Sequence, residues 1–230
     1  MSLNEETKPG DARCPDHPST KELIKNDKGG APKPLLEESY NFLGDEDIPY
    51  ERYTSEKFAR AEDEHMWSKV WQWACREEHI PEPGDYYVYD VGDRSAIIVR
   101  TEDNEIKVYY NSCLHRGTQL KPANSSGFCK ELKCPFHGWS WSLKGELEFL
   151  PCDWDFPHVN KEEFSLPEIK FDIWCGFIFI NFDENAKPLD EYLGVLPRHF
   201  ENWKLEDRYI ETHVIKKLPA NWKVSAEAFL

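Results

Sequence analysis

Two short donor pairs carry the chemistry of this chain: Cys113-x-His115 and Cys134-x-x-His137, separated by residues 116–133. Each lies in its own glycine-bearing stretch, Asn111-Ser-Cys-Leu-His-Arg-Gly-Thr118 and Lys133-Cys-Pro-Phe-His-Gly-Trp139. Two thiolates and two imidazoles satisfy a [2Fe–2S] cluster that has its Cys ligands on one iron and its His ligands on the other. The same four donors satisfy one tetrahedral zinc ion. Zinc fingers, however, usually pair Cys with Cys and His with His. Here each stretch supplies one of each kind, which suits a two-iron cluster reached by both loops. Cys113, His115, Cys134 and His137 are therefore the candidate metal and cofactor ligands, with a zinc-binding structural module as the alternative.

Cys113-Leu-His-Arg-Gly117 and Cys134-Pro-Phe-His-Gly-Trp139 resemble the two cluster loops of Rieske non-haem iron oxygenases, the ring-hydroxylating oxygenase α-subunits. A second likeness comes near the end. Asn221-Trp222-Lys223 and Glu227-Ala228-Phe229 resemble the approach to that family's mononuclear iron site, although many members carry Asn where this chain has Ala228. The resemblance spans residues from about 50 onward and implies the N-terminal portion of a longer oxygenase. In such an enzyme a ferredoxin or flavin reductase fed by NAD(P)H supplies electrons. The cluster passes them to a mononuclear Fe(II), often in a neighbouring subunit of a trimer. O2 is then used on an aromatic or other small organic substrate, by mono- or dioxygenation. The 2-His-1-carboxylate set that holds such an iron is not supplied by this sequence, where His158, His199 and His213 are scattered and read as structural or solvated.

Respiratory Rieske proteins add a disulfide between their cluster loops and a hydroxyl donor after the second. The corresponding positions here are Thr118 and Phe136 for the disulfide and Trp139 for the hydroxyl. The resemblance therefore implies a potential toward the lower end of the Rieske range, with Trp139 as a solvent shield. A self-standing Rieske electron carrier is the other alternative, but residues 185–230 exceed what such a unit needs. Cys129 lies five residues before Cys134 and is not expected to be a ligand, and Cys14-Pro-Asp-His17 lacks a partner pair. Cys75, Cys152 and Cys175 are expected to act as small apolar residues.

The elements that must position these donors read as mainly β. Residues 86–91, 95–100 and 105–111 alternate or run apolar between the tight-turn dipeptides Gly92-Asp93 and Asp103-Asn104, which predicts an antiparallel meander delivering Cys113. Residues 139–142 form a strand and Leu143-Lys-Gly-Glu146 a hairpin turn. The run Gly176-Phe-Ile-Phe-Ile-Asn-Phe182 is a buried strand closing the β core. Before them a helix begins at Thr54 or Ser55. Met66, Trp67, Val70, Trp71 and Ala74 fall at helical spacing, although residues 71–75 also read as strand and the helix is expected to stop near Val70. After them come a helix at 189–196, a strand at 209–216 and a helix opening at Asn221. The expected organisation is a disordered polar tail at 1–45, a helical segment at 46–70, a Rieske antiparallel β domain at 71–184, and the start of an α+β catalytic domain at 185–230.

Composition sets the outer bounds. The 230 residues are 40% hydrophobic, so a real core is available. A formal net charge of −15 repels phosphate backbones and argues against nucleic acid as a partner. No run approaches the roughly 20 apolar residues of a membrane helix, and the N-terminus has no signal-peptide pattern. Seven Cys, an odd number, fit a reducing compartment, so a cytoplasmic protein is expected and the Asn124-Ser125-Ser126 sequon is incidental.

Overall fold

The computed structural model describes residues 16–30 and 47–229. Residue contacts separate two compact units, residues 1–49 and 50–230. In the first, Thr20–Lys25 forms helix α1 within the stretch expected to be disordered. Ser19 starts it with a capping box: its hydroxyl accepts from the Glu22 N–H, and the Glu22 carboxylate accepts from the Ser19 N–H at 2.8 Å. Residues 1–15 and 31–45 of the expected tail, Cys14 among them, lie outside the described residues.

The second unit opens with helices α2 (Glu51–Thr54) and α3 (Glu56–Glu62). Ser55 is the predicted cap, accepting from the Phe58 N–H at 3.3 Å. A π turn at Asp63–Trp67 ends the helical run. Of the two readings left open for residues 71–75, the strand is the one formed: Gln72–Arg76 is strand β1, with Ala74 buried in it and Trp71 buried just before it. The helical spacing is imitated because β1 is a bulged strand, its register slipping between Trp73 and Cys75. Trp73 points outward, 54% exposed.

The meander then forms as predicted. Strands β2 (Asp85–Val91), β3 (Arg94–Arg100) and β4 (Ile106–Tyr110) pair antiparallel. The β2–β3 hairpin turns at Gly92, whose φ of +54° is costly for any residue with a Cβ. Asn104 takes a left-handed φ of +65° in the β3–β4 turn. Strand β5 (Ser126–Phe128) adds to the free edge of β2, completing the order β4-β3-β2-β5. Strands β6 (Leu132–Lys133), β7 (Ser140–Trp141) and β8 (Leu147–Phe149) form a second antiparallel sheet. Strands β9 (Lys170–Trp174) and β10 (Phe177–Asn181) join β1 in the third, ordered β1-β10-β9.

Strand β3 is the wall between two cores. Ala96, Ile97, Ile98 and Val99 are all fully buried, so both of its faces are covered. Ile97 and Val99 pack with Tyr109, Leu132, Trp139 and Trp141 on the side of the donor loops. Ala96 and Ile98 pack with Cys75, Ile80, Ile178 and Ile180 on the other. Burying an Ile side chain contributes about 1.5–3 kcal/mol, so this strand anchors both sides.

Downstream, the expected helix at 189–196 is two short ones, α4 (Leu189–Leu193) and α5 (Leu196–Phe200), divided at Gly194 with φ +57°. The expected strand at 209–216 is not formed. Val214 and Ile215 are 79% and 80% exposed, and among the described residues no strand pairs with this segment to receive its ladder. Helix α6 (Trp222–Glu227) begins as predicted, with the Asn221 side chain accepting from the Lys223 N–H at 3.0 Å. It returns to the start of the unit. Asn221 Nδ2 donates to the Tyr53 carbonyl at 3.0 Å, Lys223 pairs with Glu62 at 2.7 Å, and the Trp67 and Trp222 rings meet at 5.2 Å. Among the described residues, no helix is long and apolar enough to cross a membrane.

Candidate metal centre

Both donor loops are built on strand ends and follow one backbone plan. The first leaves β4. The Cys113 N–H donates to the Thr118 carbonyl at 2.8 Å, and the Gly117 N–H returns to the Cys113 carbonyl at 2.9 Å. The second lies between β6 and β7, where the Cys134 N–H donates to the Trp139 carbonyl at 2.7 Å and the Gly138 N–H to the Cys134 carbonyl at 3.1 Å. Gly117 and Gly138 have φ of +73° and +78°, and this left-handed step is what a glycine after each His supplies. The two loops are thus equivalent, with Thr118 and Trp139 in matching places.

Asn111 ties the first loop shut. Its side chain is buried, and Nδ2 donates to Ser95 Oγ at 3.0 Å and the Lys121 carbonyl at 2.8 Å. Its Oδ1 accepts from the Leu120 and Lys121 N–H groups at 2.9 and 3.0 Å. Sequence reasoning gave this residue no role, because an Asn at a strand end reads as an ordinary turn former.

Of the sequence-predicted donors, the structure places Cys113 beside Cys134 and His115 beside His137. Cys113 and Cys134 are buried, and each thiol shifts the ionisation of the other. Burial pushes the Cys113 thiol up, against the N–H groups of His115 and Arg116 that point at its sulfur. Burial also acts on Cys134, but the N–H groups of His137, Phe136 and Gly138 outweigh it and hold this thiol below the usual range. Of the two, Cys134 is the thiol that ionises more readily. The His115 and His137 rings lie 4.7 Å apart at 70°. Burial, the neighbouring His137 and Arg116 lower the His115 pKa. His115 Nδ1 is buried without a hydrogen-bond partner.

These features fit a two-iron cluster. Peptide N–H groups aimed at the sulfurs stabilise thiolates, and a buried, unpartnered imidazole nitrogen is a donor waiting for an acceptor. The thiols lie with each other and the imidazoles with each other, the pairing that a cluster with Cys on one iron and His on the other uses.

The remaining candidates lie apart from this site. Cys129 is half-buried, with its N–H donating to the Gly84 carbonyl at 2.9 Å. His65 is solvated, His158 and His199 lie against Phe156 and Phe200, and His213 lies against His79 at 5.9 Å. Cys75 is buried and its thiol is pushed up to about 12 by burial. Cys152 departs from its expected apolar packing: it is exposed, in a left-handed turn with φ +55°.

Residues 70–160, which carry both donor loops, match the family model of the Rieske [2Fe-2S] domain. The chain is homologous to the N-terminal part of Rieske oxygenase α subunits. It is 33% identical over 183 residues to the benzene 1,2-dioxygenase α subunit of Pseudomonas putida, covering 77% of this chain and 40% of that protein. It is 31% identical over 185 residues to the carnitine monooxygenase oxygenase subunit of Acinetobacter pittii, covering 77% and 48%. The crystal structure of an apo quaternary ammonium Rieske monooxygenase superposes with a TM-score of 0.72 at 28% identity, over 80% of this chain and 54% of that one. The chain spans less than half the length of the curated relatives it matches.

Proposed function

We propose that this chain is the electron-accepting Rieske portion of an oxygenase that acts on an aromatic or other small organic substrate with O2. In this reading Cys113 and Cys134 hold one iron and His115 and His137 the other. The observation that carries it is the two-and-two placement of donors in backbone-equivalent loops, thiols buried inward and imidazoles together. When bound, the cluster takes up and passes on one electron at a time. The protein's own part is to hold the ligands still and dry. Asn111 fixes the first loop, and Trp139, buried and stacked on His115 with centroids 5.1 Å apart, excludes water from the imidazole side. Peptide N–H groups offset the negative charge on the sulfurs. His137 is exposed beside Phe136, itself 64% exposed, and is where a redox partner can approach.

Residues 71–184 form the Rieske domain of this proposal and 185–230 the start of a catalytic domain, with α6 leading toward a mononuclear Fe(II) site. The donor is a ferredoxin or flavin reductase, and the assembly a trimer-based oligomer in the cytoplasm. Iron and sulfide analysis with electron paramagnetic resonance of the reduced protein tests the reading. Two irons, two sulfides and a Rieske signal are expected. One tightly bound zinc and no signal would refute it.

A further inference from the structure

The two imidazoles of the site are held very differently. Among the described residues, the aromatic rings against His137 are those of its chain neighbour Phe136, at 3.9 Å and 37°, and of His115. His115 is boxed. The Trp139 ring lies parallel to it, at 4° and 5.1 Å, and the Phe156 ring stands edge-on at 5.7 Å and 89°. Phe156 is also perpendicular to Trp139, at 5.4 Å and 89°, so the three rings brace one another. Phe156 belongs to neither donor loop. It follows the turn Asp153–Asp155, where its N–H donates to the Asp153 carbonyl at 2.9 Å. The segment is pinned at both ends by buried Leu150 and by Leu166, whose N–H donates to the Gly145 carbonyl at 2.8 Å.

A ligating imidazole must present one nitrogen along a fixed direction, and hydrogen bonds to its other nitrogen usually set that direction. At His115 the buried Nδ1 has no protein partner, and the ring plane is defined by aromatic contacts. We propose that Phe156, acting with Trp139, is a positioning residue that locks the His115 ring with Nδ1 turned into the site. Segment 151–158 is thereby a third wall of the centre, which neither donor motif contains. The proposal rests on the cluster reading given above.

Two measurements separate the proposal from that reading. In the metal-free chain, nuclear magnetic resonance of the His115 ring protons should show upfield ring-current shifts. Phe156→Leu should reduce them and Phe156→Tyr restore them. In the iron-loaded chain, Phe156→Leu should keep wild-type iron and sulfide content while shifting the outer g values and the midpoint potential, again with rescue by Phe156→Tyr. Phe164→Leu is the control, since Phe164 packs on Trp139 at 6.4 Å without being part of the box around His115. It should leave both readouts at wild type. Unchanged ring protons and g values in Phe156→Leu, or an equal shift in Phe164→Leu, overturn the positioning role. A wild-type chain that never gives a Rieske signal overturns the cluster reading, and the metal-free arm still decides whether Phe156 orders His115.

Discussion

Replacing Asn111 by Ala removes a side chain that closes the first donor loop. Four hydrogen bonds disappear together: two donated, to Ser95 Oγ and the Lys121 carbonyl, and two accepted, from the Leu120 and Lys121 N–H groups. The side chain is 3% exposed and Leu120 is equally buried, so water does not readily replace the partner of the Leu120 N–H. A buried donor left unpaired costs about 1–3 kcal/mol, and a solvated loss about 0.5–1.5 kcal/mol. The Lys121 groups are half-buried and recover part of their loss in water. The expected destabilisation is about 2–4 kcal/mol. Because the lost bonds close the segment carrying Cys113 and His115, cluster retention should fall as well. Denaturant unfolding of the metal-free chain measures the first quantity, and iron content with visible absorbance after dialysis against a chelator measures the second. Asn111→Asp keeps both accepted bonds but loses both donated ones, and should fall between wild type and Ala. Full iron retention in Asn111→Ala, with stability within about 0.5 kcal/mol of wild type, would contradict the reasoning.

Cys134→Ala and His137→Ala should abolish the Rieske spectrum whereas Cys129→Ala keeps it, as followed by electron paramagnetic resonance. The midpoint potential of the loaded chain, measured by redox titration, should fall nearer the lower limit of about −150 mV than the upper limit of the Rieske range. Alkali should destabilise the fold. Burial raises the Cys75 thiol from 9.0 to about 12, so the native state holds a proton that the unfolded chain releases. That stability is complete below pH 9.0 and is lost as pH rises toward about 12, at up to about 1.4 kcal/mol per pH unit. Tyr87, Tyr89 and Tyr109, raised chiefly by burial, act in the same direction. Denaturant midpoints taken from pH 8 to 11 measure the slope. Gly92→Ala should cost about 1–3 kcal/mol, since its Cβ would lie 2.5 Å from Asp63 Oδ1 at a positive φ. Thermal or denaturant melts against wild type check it.

The parts of this molecule that were legible in the sequence are those where chemistry or turn geometry leaves few choices. The two donor loops were readable because both repeat Cys, His and Gly at short spacing. The meander was readable because Gly92 and Asn104 supply the left-handed turns between apolar runs. Strand β1 was legible only as one of two readings because its bulge breaks the two-residue period, leaving Trp71 and Ala74 at a spacing that also fits a helix. Strand-like residues 209–216 were read from composition, but a strand is a property of a pair, and Val214 and Ile215 meet no ladder here. Asn111 and Phe156 escaped notice for a related reason. Each acts through partners distant in the chain, and neither belongs to a periodic pattern that announces such partners.

The two-faced burial of β3 has a thermodynamic consequence. Its odd and even residues belong to different hydrophobic cores, so neither core can open without stripping one face of a strand on which the other depends. The donor side and the sheet containing β1, β9 and β10 should therefore melt as a single cooperative unit. The slowest-exchanging amides of that unit should lie in β3, whichever side is perturbed. A fluorescent report from Trp73, outside the donor core, would then register the loss of metal-site integrity across the wall.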